Sequence, residues 1–196
     1  GGTDAIVICG TTGEAATLTD EEHIATIGTA VKAAAGRVPV VAGTGANDTA
    51  HSLRLATAAR DLGADALLLV TPYYNKTTQA GLIPHFLNVV DKVGLPATIR
   101  QMCGDDIDVY SGNDDQIVPI LSLGGKGVIS VLSNVAPRQT HDICRLWFEG
   151  KTQESLELQL KLLSLVHALF CEVNPIPVKE AMNQLGFPAG PCRLPL

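Results

Sequence analysis

Glycine-rich segments that carry hydroxyl groups follow several short apolar runs of this chain. The first, Gly10-Thr11-Thr12-Gly13, comes directly after the apolar run Ala5–Cys9. Its backbone N–H groups and two hydroxyls fall in one turn, where they can hold a carboxylate without a charged side chain. That chemistry suits a small oxo-acid. A turn whose threonines only cap a helix is the alternative interpretation of the same residues.

Two adjacent tyrosines follow the third apolar run. Tyr73 and Tyr74 cannot both face one way in extended backbone, because successive side chains alternate. One phenol could reach a pocket and relay a proton while the other packs at a subunit contact. Packing is the commoner role of a single tyrosine, so both roles stay open. Further polar segments follow other apolar runs, at Gly43–Asn47, Ser111–Asp114 and Ser133-Asn134.

Weaker chemical signals come from cysteine and histidine. Cys9 ends an apolar run next to a glycine and is a candidate nucleophile, but no histidine is readably paired with it. His141 and Cys144 are three residues apart and give at most a weak indication of a metal site. The other histidines stand singly on predicted helices, where surface or capping roles are commoner than metal ligation.

The elements that must position these residues alternate along the chain. Short runs rich in Val, Ile and Leu are separated by segments of helical period, which is typical of repeated βα units. None of the runs alternates apolar with polar residues, so both faces of the sheet are expected to be covered. The candidate strands are Ala5–Cys9, Val38–Ala42, Ala66–Val70, Ala97–Ile99, Ile107–Tyr110 and Val128–Leu132.

The helices have readable start and stop signals. Thr19-Asp20-Glu21-Glu22 is a capping box, and Asp48 or Thr49 caps the second helix. On the sixth predicted helix we expect Leu156, Leu160, Leu163 and Val166 to form the core-facing stripe. Predicted helices run from the capping box to Gly36, from Asp48 or Thr49 to Leu62-Gly63, and over Thr78–Val93, Asp115–Leu123, Pro137–Phe148, Thr152–Cys171 and Pro177–Leu185.

One stretch breaks the regular spacing of these units. Only nine residues, Arg100 to Asp108, lie between Ile99 and Val109, which belong to two consecutive strand candidates. A parallel crossover with its helix needs roughly a dozen or more. The sequence therefore predicts a single partial domain over residues 1–196, an α/β chain built as a (β/α)8 TIM barrel that is incomplete. We expect its first unit, the fifth-to-sixth strand region and its C-terminal end to be missing.

Composition narrows the class of partner. The 196 residues are 46% hydrophobic and carry a net charge of −6, which argues against nucleic acid or an anionic membrane surface. No apolar run approaches the length of a membrane span, and no signal peptide is readable. Five cysteines without a C-x-x-C pair fit a reducing compartment. We expect a cytoplasmic protein, or a plastid one if it comes from a plant.

The polar segments taken together resemble a known enzyme family. Gly10–Glu14, Val40–Gly45, Thr71–Lys76, Tyr110–Asp114, Gly124–Val131 and Asn174–Lys179 are similar, in order, to motifs of the 4-hydroxy-tetrahydrodipicolinate (dihydrodipicolinate) synthases. The resemblance implies a (β/α)8 barrel, usually a homotetramer and otherwise a dimer. It also implies a lyase that condenses pyruvate with L-aspartate 4-semialdehyde in lysine (diaminopimelate) biosynthesis, with no metal and no organic cofactor.

The resemblance also implies roles for single residues. Thr12 corresponds to the contact with the pyruvate carboxylate, and Ile129 to a backbone contact with pyruvate. Thr11 corresponds to a hydroxyl of the proton relay. Tyr74 corresponds to the relay tyrosine that reaches into the site of a neighbouring subunit.

A possible inhibitor site is implied as well. Ala16, Asn47 and Tyr73 fall where lysine-sensitive members bind their feedback inhibitor. Asp20 and His51 stand where those members have other partners for lysine, so we do not expect lysine inhibition.

The principal departure from the family concerns the reaction itself. Members of the family form a Schiff base on a lysine in a segment like I-K-E-A, and a tyrosine in Y-N-V-P supplies the proton. Neither motif is present in this sequence. None of Lys32, Lys76, Lys92, Lys126, Lys151, Lys161 and Lys179 stands inside a predicted barrel strand. Activity of this chain is therefore in doubt. The alternatives are a related pyruvate aldolase such as N-acetylneuraminate lyase, or a non-catalytic truncated homologue.

Overall fold

The structure is a computed structural model that describes residues 2–75, 77–93 and 108–196. It consists of two compact units. The N-terminal unit is Ala5–Met102, and the C-terminal unit combines Gly1–Asp4 with Cys103–Leu196. The prediction of one domain over residues 1–196 stays a prediction. Within the described ranges, no helix combines the length and apolar character needed to cross a bilayer.

The N-terminal unit is a parallel sheet covered by helices. Its strands are β1 (Ile6–Ile8), β2 (Val40–Gly43) and β3 (Ala66–Leu68), which pair in the order β1-β2-β3. Both pairings are parallel, with Ile8 opposite Ala42 and Gly43 opposite Leu68. The helices are α1 (Asp20–Ala34), α2 (Thr49–Asp61) and α3 (Gln79–Val93). Ile27, Ala56, Leu67 and Val89 are fully buried between sheet and helices.

Local sequence signals set the starts of the first two helices. The hydroxyl of Thr19 accepts the Glu22 N–H at 3.2 Å, and the Glu22 carboxylate accepts the Thr19 N–H at 3.0 Å. This reciprocal pair is the predicted capping box, and it satisfies donors that the first helical turn leaves open. Asp48 Oδ1 accepts the Ala50 N–H at 2.8 Å and caps α2. Both predicted caps are confirmed.

In its described residues, the C-terminal unit has a smaller sheet and four α-helices. Strands β4 (Tyr110–Ser111) and β5 (Gly127–Val128) pair in parallel. The helices are α4 (Ile117–Ser122), α5 (Pro137–Phe148), α6 (Thr152–Leu169) and α7 (Ile176–Gln184). One buried cluster centres on Ile117 and Ile143, and a second on Leu132 and Leu169.

The last predicted strand, Val128–Leu132, is wrong beyond its first residue. The strand ends at Val128, and Leu132–Asn134 form a 3-10 turn. The physical reason is that the N–H groups of Val131 and Leu132 donate to the carboxylate of Asp114 and not to a neighbouring strand. The predicted strand Ala97–Ile99 lies outside the described residues, as does most of the break at Arg100–Asp108.

The predicted core stripe of α6 is also partly wrong. Val166 is buried and Leu163 half-buried, but Leu156 and Leu160 are exposed. The buried positions one residue earlier are Ser155 and Gln159, whose polar groups have partners inside the unit. Ser155 Oγ donates to the Ile143 carbonyl at 2.7 Å. Gln159 accepts the Val118 N–H and donates to the Asp115 carbonyl.

Candidate active site

The first polar segment leaves β1 through a pair of tight turns. Cys9 has a positive φ of 56°, and a 3-10 turn over Thr11–Gly13 follows. Glu14, with a φ of 55°, joins it to a second 3-10 turn over Ala15–Thr17. Thr11 is exposed and Thr12 is half-buried. The hydroxyl pair therefore stands on a short, turn-stabilised loop at the carboxyl end of a strand, where barrel enzymes place their chemistry.

Two glycines allow the strand ends to lie close together. A Cβ on Gly43 would come within 2.1 Å of the Cys9 carbonyl oxygen, and one on Gly45 within 2.3 Å of the Val70 nitrogen. Only glycine fits where neighbouring backbones approach this closely. The Gly43-Thr44-Gly45 motif thus brings the end of β2 against the segments that follow β1 and β3.

The loops after β2 and β3 are joined by a side chain. Asn75 Nδ2 donates to the Asn47 carbonyl oxygen at 3.0 Å. Tyr73 is 51% exposed and Tyr74, with a positive φ of 70°, is 97% exposed. Asn47 and the Tyr73-Tyr74 pair are therefore brought together within this unit. Tyr74 is therefore almost entirely exposed on this unit.

Asp20 and His51, the expected departures from the lysine-sensitive pattern, are bonded to each other. The His51 imidazole Nε2 lies 2.8 Å from Asp20 Oδ1, and the Arg54 guanidinium lies 3.8 Å from Asp20 Oδ2. Ala16 is exposed on the second 3-10 turn, and Asn47 is half-buried. The possible inhibitor residues Ala16, Asn47 and Tyr73 thus all belong to loops that follow strands of the N-terminal unit.

Two buried histidines beside this site were not expected from the sequence. His23 is 5% exposed, and its Nε2 lies 2.7 Å from the Gly43 carbonyl oxygen. His85 is also 5% exposed, and its Nδ1 lies 2.8 Å from the Thr49 hydroxyl. Burial lowers the pKa of His85, and the charge of Asp48 acts in the opposite direction. The sequence offered no signal for either contact, because the partners lie on other elements.

A buried hydroxyl adds to the polar character of this end of the sheet. Thr44 is fully buried, and its N–H donates to the Leu68 carbonyl at 3.0 Å. Its Oγ1 has no hydrogen-bond partner among the described residues. Leaving a buried hydroxyl unpaired costs about 1–3 kcal/mol. This cost is of the kind expected at a site built for a ligand or an ordered water.

The C-terminal unit contributes a second polar strand end. The Ile129 N–H donates to the Ser111 carbonyl at 2.8 Å, directly after β5. Asp114 is 3% exposed, and its Oδ2 accepts the N–H groups of Val131 and Leu132 at 3.0 and 2.9 Å. Burial raises the pKa of Asp114, and hydrogen bonds from Ser130, Leu132 and Val131 oppose that shift. Ile129 therefore sits on backbone that is held from two sides.

The candidate nucleophile Cys9 does not have the properties that the role requires. Its thiol is buried, and its hydrogen-bond partner is the His23 carbonyl oxygen at 3.9 Å, which is not a base. Burial raises the pKa of Cys9 to about 11. Since the thiolate is the reactive form, Cys9 is not a nucleophile near neutral pH.

The weak metal indication at His141 and Cys144 is likewise not supported. His141 Nδ1 lies 3.0 Å from the carboxylate of Asp4. Burial, reinforced by Asp4, raises the pKa of Cys144 to about 11. Among the described residues, no group of three or more His, Cys, Asp or Glu side chains could hold a metal ion.

The lysines of the described ranges do not supply a Schiff-base amine inside a sheet. None of them lies on a β-strand. Lys126 comes directly before β5, at the amino end of that strand. Lys179 donates to the Pro191 carbonyl, and Lys151 pairs with Glu149 on the surface. Lys76 lies outside the described residues.

Comparison with known proteins decides the family. The model of the dihydrodipicolinate synthetase family matches residues 1–102 and 97–196. The chain belongs to this family. The two matches meet within residues 97–102, which is the place where the sequence breaks the regular spacing of strands and helices.

Curated and solved relatives agree with this assignment. The 4-hydroxy-tetrahydrodipicolinate synthase of Caldicellulosiruptor saccharolyticus is 48% identical over 235 residues, which cover 99% of this chain and 79% of the relative. The Acinetobacter baumannii dihydrodipicolinate synthase, solved with pyruvate, is 38% identical with a TM-score of 0.93, over 100% of this chain and 81% of the relative. The Cyanidioschyzon merolae enzyme, solved with lysine bound, is 32% identical with a TM-score of 0.93. That comparison covers 100% of this chain and 80% of the relative.

The structural likeness confirms the predicted fold class, a (β/α)8 barrel that is incomplete in this chain. The alignment to the family member of C. saccharolyticus runs over 235 residues, while the chain has 196. Roughly 40 positions of that alignment therefore have a residue in the C. saccharolyticus relative and none in this chain. The synthase names of the relatives do not favour the N-acetylneuraminate lyase alternative.

Proposed function

We propose that this chain is a 4-hydroxy-tetrahydrodipicolinate synthase barrel that keeps its pyruvate-binding segments but has lost the segment that forms the Schiff base. In the complete enzyme a lysine Nζ attacks the C2 carbonyl of pyruvate, water leaves, and the adduct condenses with L-aspartate 4-semialdehyde. Family membership, together with the roughly 40 unmatched alignment positions, supports this assignment. The I-K-E-A and Y-N-V-P motifs are absent from the sequence.

The retained residues divide into binding and proton-transfer roles. Thr12 and the backbone of Ile129 would contact pyruvate, and Thr11 and Tyr74 would relay protons. The position of each at the carboxyl end of a strand supports these roles. The A. baumannii relative was solved in complex with pyruvate, which supports the same ligand here.

A trapping experiment tests the loss of covalent chemistry. Borohydride reduction in the presence of pyruvate converts a Schiff base into a stable pyruvyl adduct that intact mass spectrometry detects. We expect no adduct on this chain and one adduct on the complete C. saccharolyticus relative under the same conditions. An adduct on this chain would show that another lysine forms the Schiff base.

A titration tests the retained binding. Pyruvate added to the ¹⁵N-labelled chain should shift amide resonances around Thr12 and Ile129 in a saturable way. Thr12→Val removes the hydroxyl and should abolish the shifts near it. Thr29→Val is the matched control, because Thr29 is exposed on α1 and bonds only its own helix at the Ala25 carbonyl. Equal shifts in both variants would contradict a role for Thr12.

Assembly and regulation follow from the same loops. We propose a homo-oligomer, a dimer or tetramer, in which Tyr74 enters a neighbouring subunit; its 97% exposure supports this. Sedimentation velocity should show more than one chain per particle. Ala16, Asn47 and Tyr73 form the possible inhibitor site, and the bond between Asp20 and His51 supports the expectation that lysine does not inhibit this chain. The bacterial relatives support a cytoplasmic location.

A further inference from the structure

Asp114 links the two strand ends of the C-terminal unit. It follows β4 in the segment Ser111–Asp114, yet its carboxylate bonds to residues that follow β5. Its side chain is buried, with 3% of the residue exposed. A buried carboxylate is costly unless it has strong partners, and bonds from backbone N–H groups to an ionised carboxylate are among the strong ones.

The bonds of Asp114 act on one short stretch of backbone. Oδ2 accepts the N–H of Val131 at 3.0 Å and that of Leu132 at 2.9 Å. These donors stand where the chain leaves the extended path of β5 and enters the 3-10 turn Leu132–Asn134. The carboxylate thus turns the backbone within three residues of Ile129.

Hydrogen bonds between neutral groups also hold this stretch. The Ile129 N–H donates to the Ser111 carbonyl. Ser130 Oγ accepts the Ser133 N–H at 2.8 Å, and the Ser130 carbonyl accepts the Ser133 hydroxyl at 2.9 Å. A side-chain hydrogen bond also joins Ser130 to Asp114, so the carboxylate acts on three consecutive positions of this stretch, Ser130, Val131 and Leu132.

We propose that Asp114 is a positioning residue for the substrate: through the Val131 and Leu132 N–H groups it sets the direction of the Ile129 backbone that contacts pyruvate. This inference rests on the proposed function, which assigns the pyruvate contact to Ile129. Asp114 does not touch the substrate. It acts by ending β5 early: the Ile129 N–H still donates to the Ser111 carbonyl, and the backbone beyond it turns instead of continuing the strand pairing.

A graded pair of variants tests this role in the full chain. Asp114→Asn keeps the shape and one oxygen acceptor but loses the charge, whereas Asp114→Ala removes both acceptors. Asp115→Asn is the matched control, since its exposed carboxylate is the next along the chain. Pyruvate affinity is read from the saturable shift of the Ile129 amide, and amide hydrogen exchange is measured at Val131 and Leu132.

We expect pyruvate affinity to fall about threefold in Asp114→Asn and at least tenfold in Asp114→Ala, with Asp115→Asn unchanged. Exchange at Val131 and Leu132 should accelerate in the same order. If Asp114→Ala does not fold, the Asn variant decides. Unchanged pyruvate affinity in a folded Asp114 variant would overturn the positioning role alone. Absence of any pyruvate shift in the unsubstituted chain would overturn the proposed function along with it.

Discussion

The imidazole Nε2 of His51 and the Oδ1 of Asp20 lie 2.8 Å apart, so a side-chain hydrogen bond joins the first turns of α1 and α2. Arg54 approaches the second oxygen of the same carboxylate. The family resemblance in the sequence marks Asp20 and His51 as the expected departures from the lysine-sensitive pattern. Each of them is therefore already engaged by a partner inside the chain.

This engagement predicts that L-lysine does not bind at millimolar concentrations. A lysine ammonium could pair with Asp20 only by displacing both His51 and Arg54. The exposed ion pair formed in this way would contribute only about 0–1 kcal/mol, which does not offset the two interactions that are lost. Calorimetric titration of the chain with L-lysine should show only heats of dilution. The C. merolae enzyme, which was solved with lysine bound, serves as the positive control. A saturable heat from this chain would contradict the prediction.

Restoring the missing segment should restore covalent chemistry. We expect a chimera that carries the roughly 40 unmatched residues of the C. saccharolyticus relative at positions 97–102 to form the borohydride-trapped pyruvyl adduct. The reason is that a strand inside the barrel holds its lysine in the desolvated setting that keeps the amine unprotonated. The same chimera with that lysine changed to Met is the control. If both chimeras remain without adduct, the retained segments are not in a competent arrangement.

The buried amide of Gln159 should contribute more to the free energy of unfolding than the exposed side chain of Leu160. Gln159 satisfies the Val118 N–H at 2.7 Å and also reaches the Asp115 carbonyl. Gln159→Leu leaves both backbone groups without that partner, which should lower the free energy of unfolding by about 2–3 kcal/mol. Leu160→Gln, at a residue that is 55% exposed, should change it by less than about 0.5 kcal/mol. Urea unfolding followed by circular dichroism measures both, and the reverse ranking would refute the burial assignment.

Cysteine reactivity should follow burial and pH. The pKa of Cys9 is raised to about 11, so at pH 8 its thiol is protonated and unreactive. Iodoacetamide at pH 8 should modify the exposed Cys171 and leave Cys9 intact, as read by peptide mass mapping. The reaction of Cys9 should rise only as the pH approaches 11, or after unfolding. Rapid modification of Cys9 in the folded chain at pH 8 would contradict its burial.

Several features could be predicted from the sequence because they depend on residues close together in the chain. The capping box at Thr19 spans four residues, and the helix Pro137–Phe148 has the predicted bounds. The order of strands and helices follows from hydrophobic period, and the break after Ile99 follows from crossover length alone. The polar segments after the strands, and with them the family, are equally local patterns.

Other features were decided only by the tertiary structure, because they join residues far apart in the chain. Asp114 bonds to Leu132 across 18 positions and ends a strand that the apolar pattern extends. Gln159 bonds to Val118 across 41 positions, which turns a polar residue inward and leaves Leu160 outside. The spacing of apolar residues in the sequence indicates only which face of a helix or strand is apolar. The partner that stabilises a buried polar group is known only once distant elements are packed together.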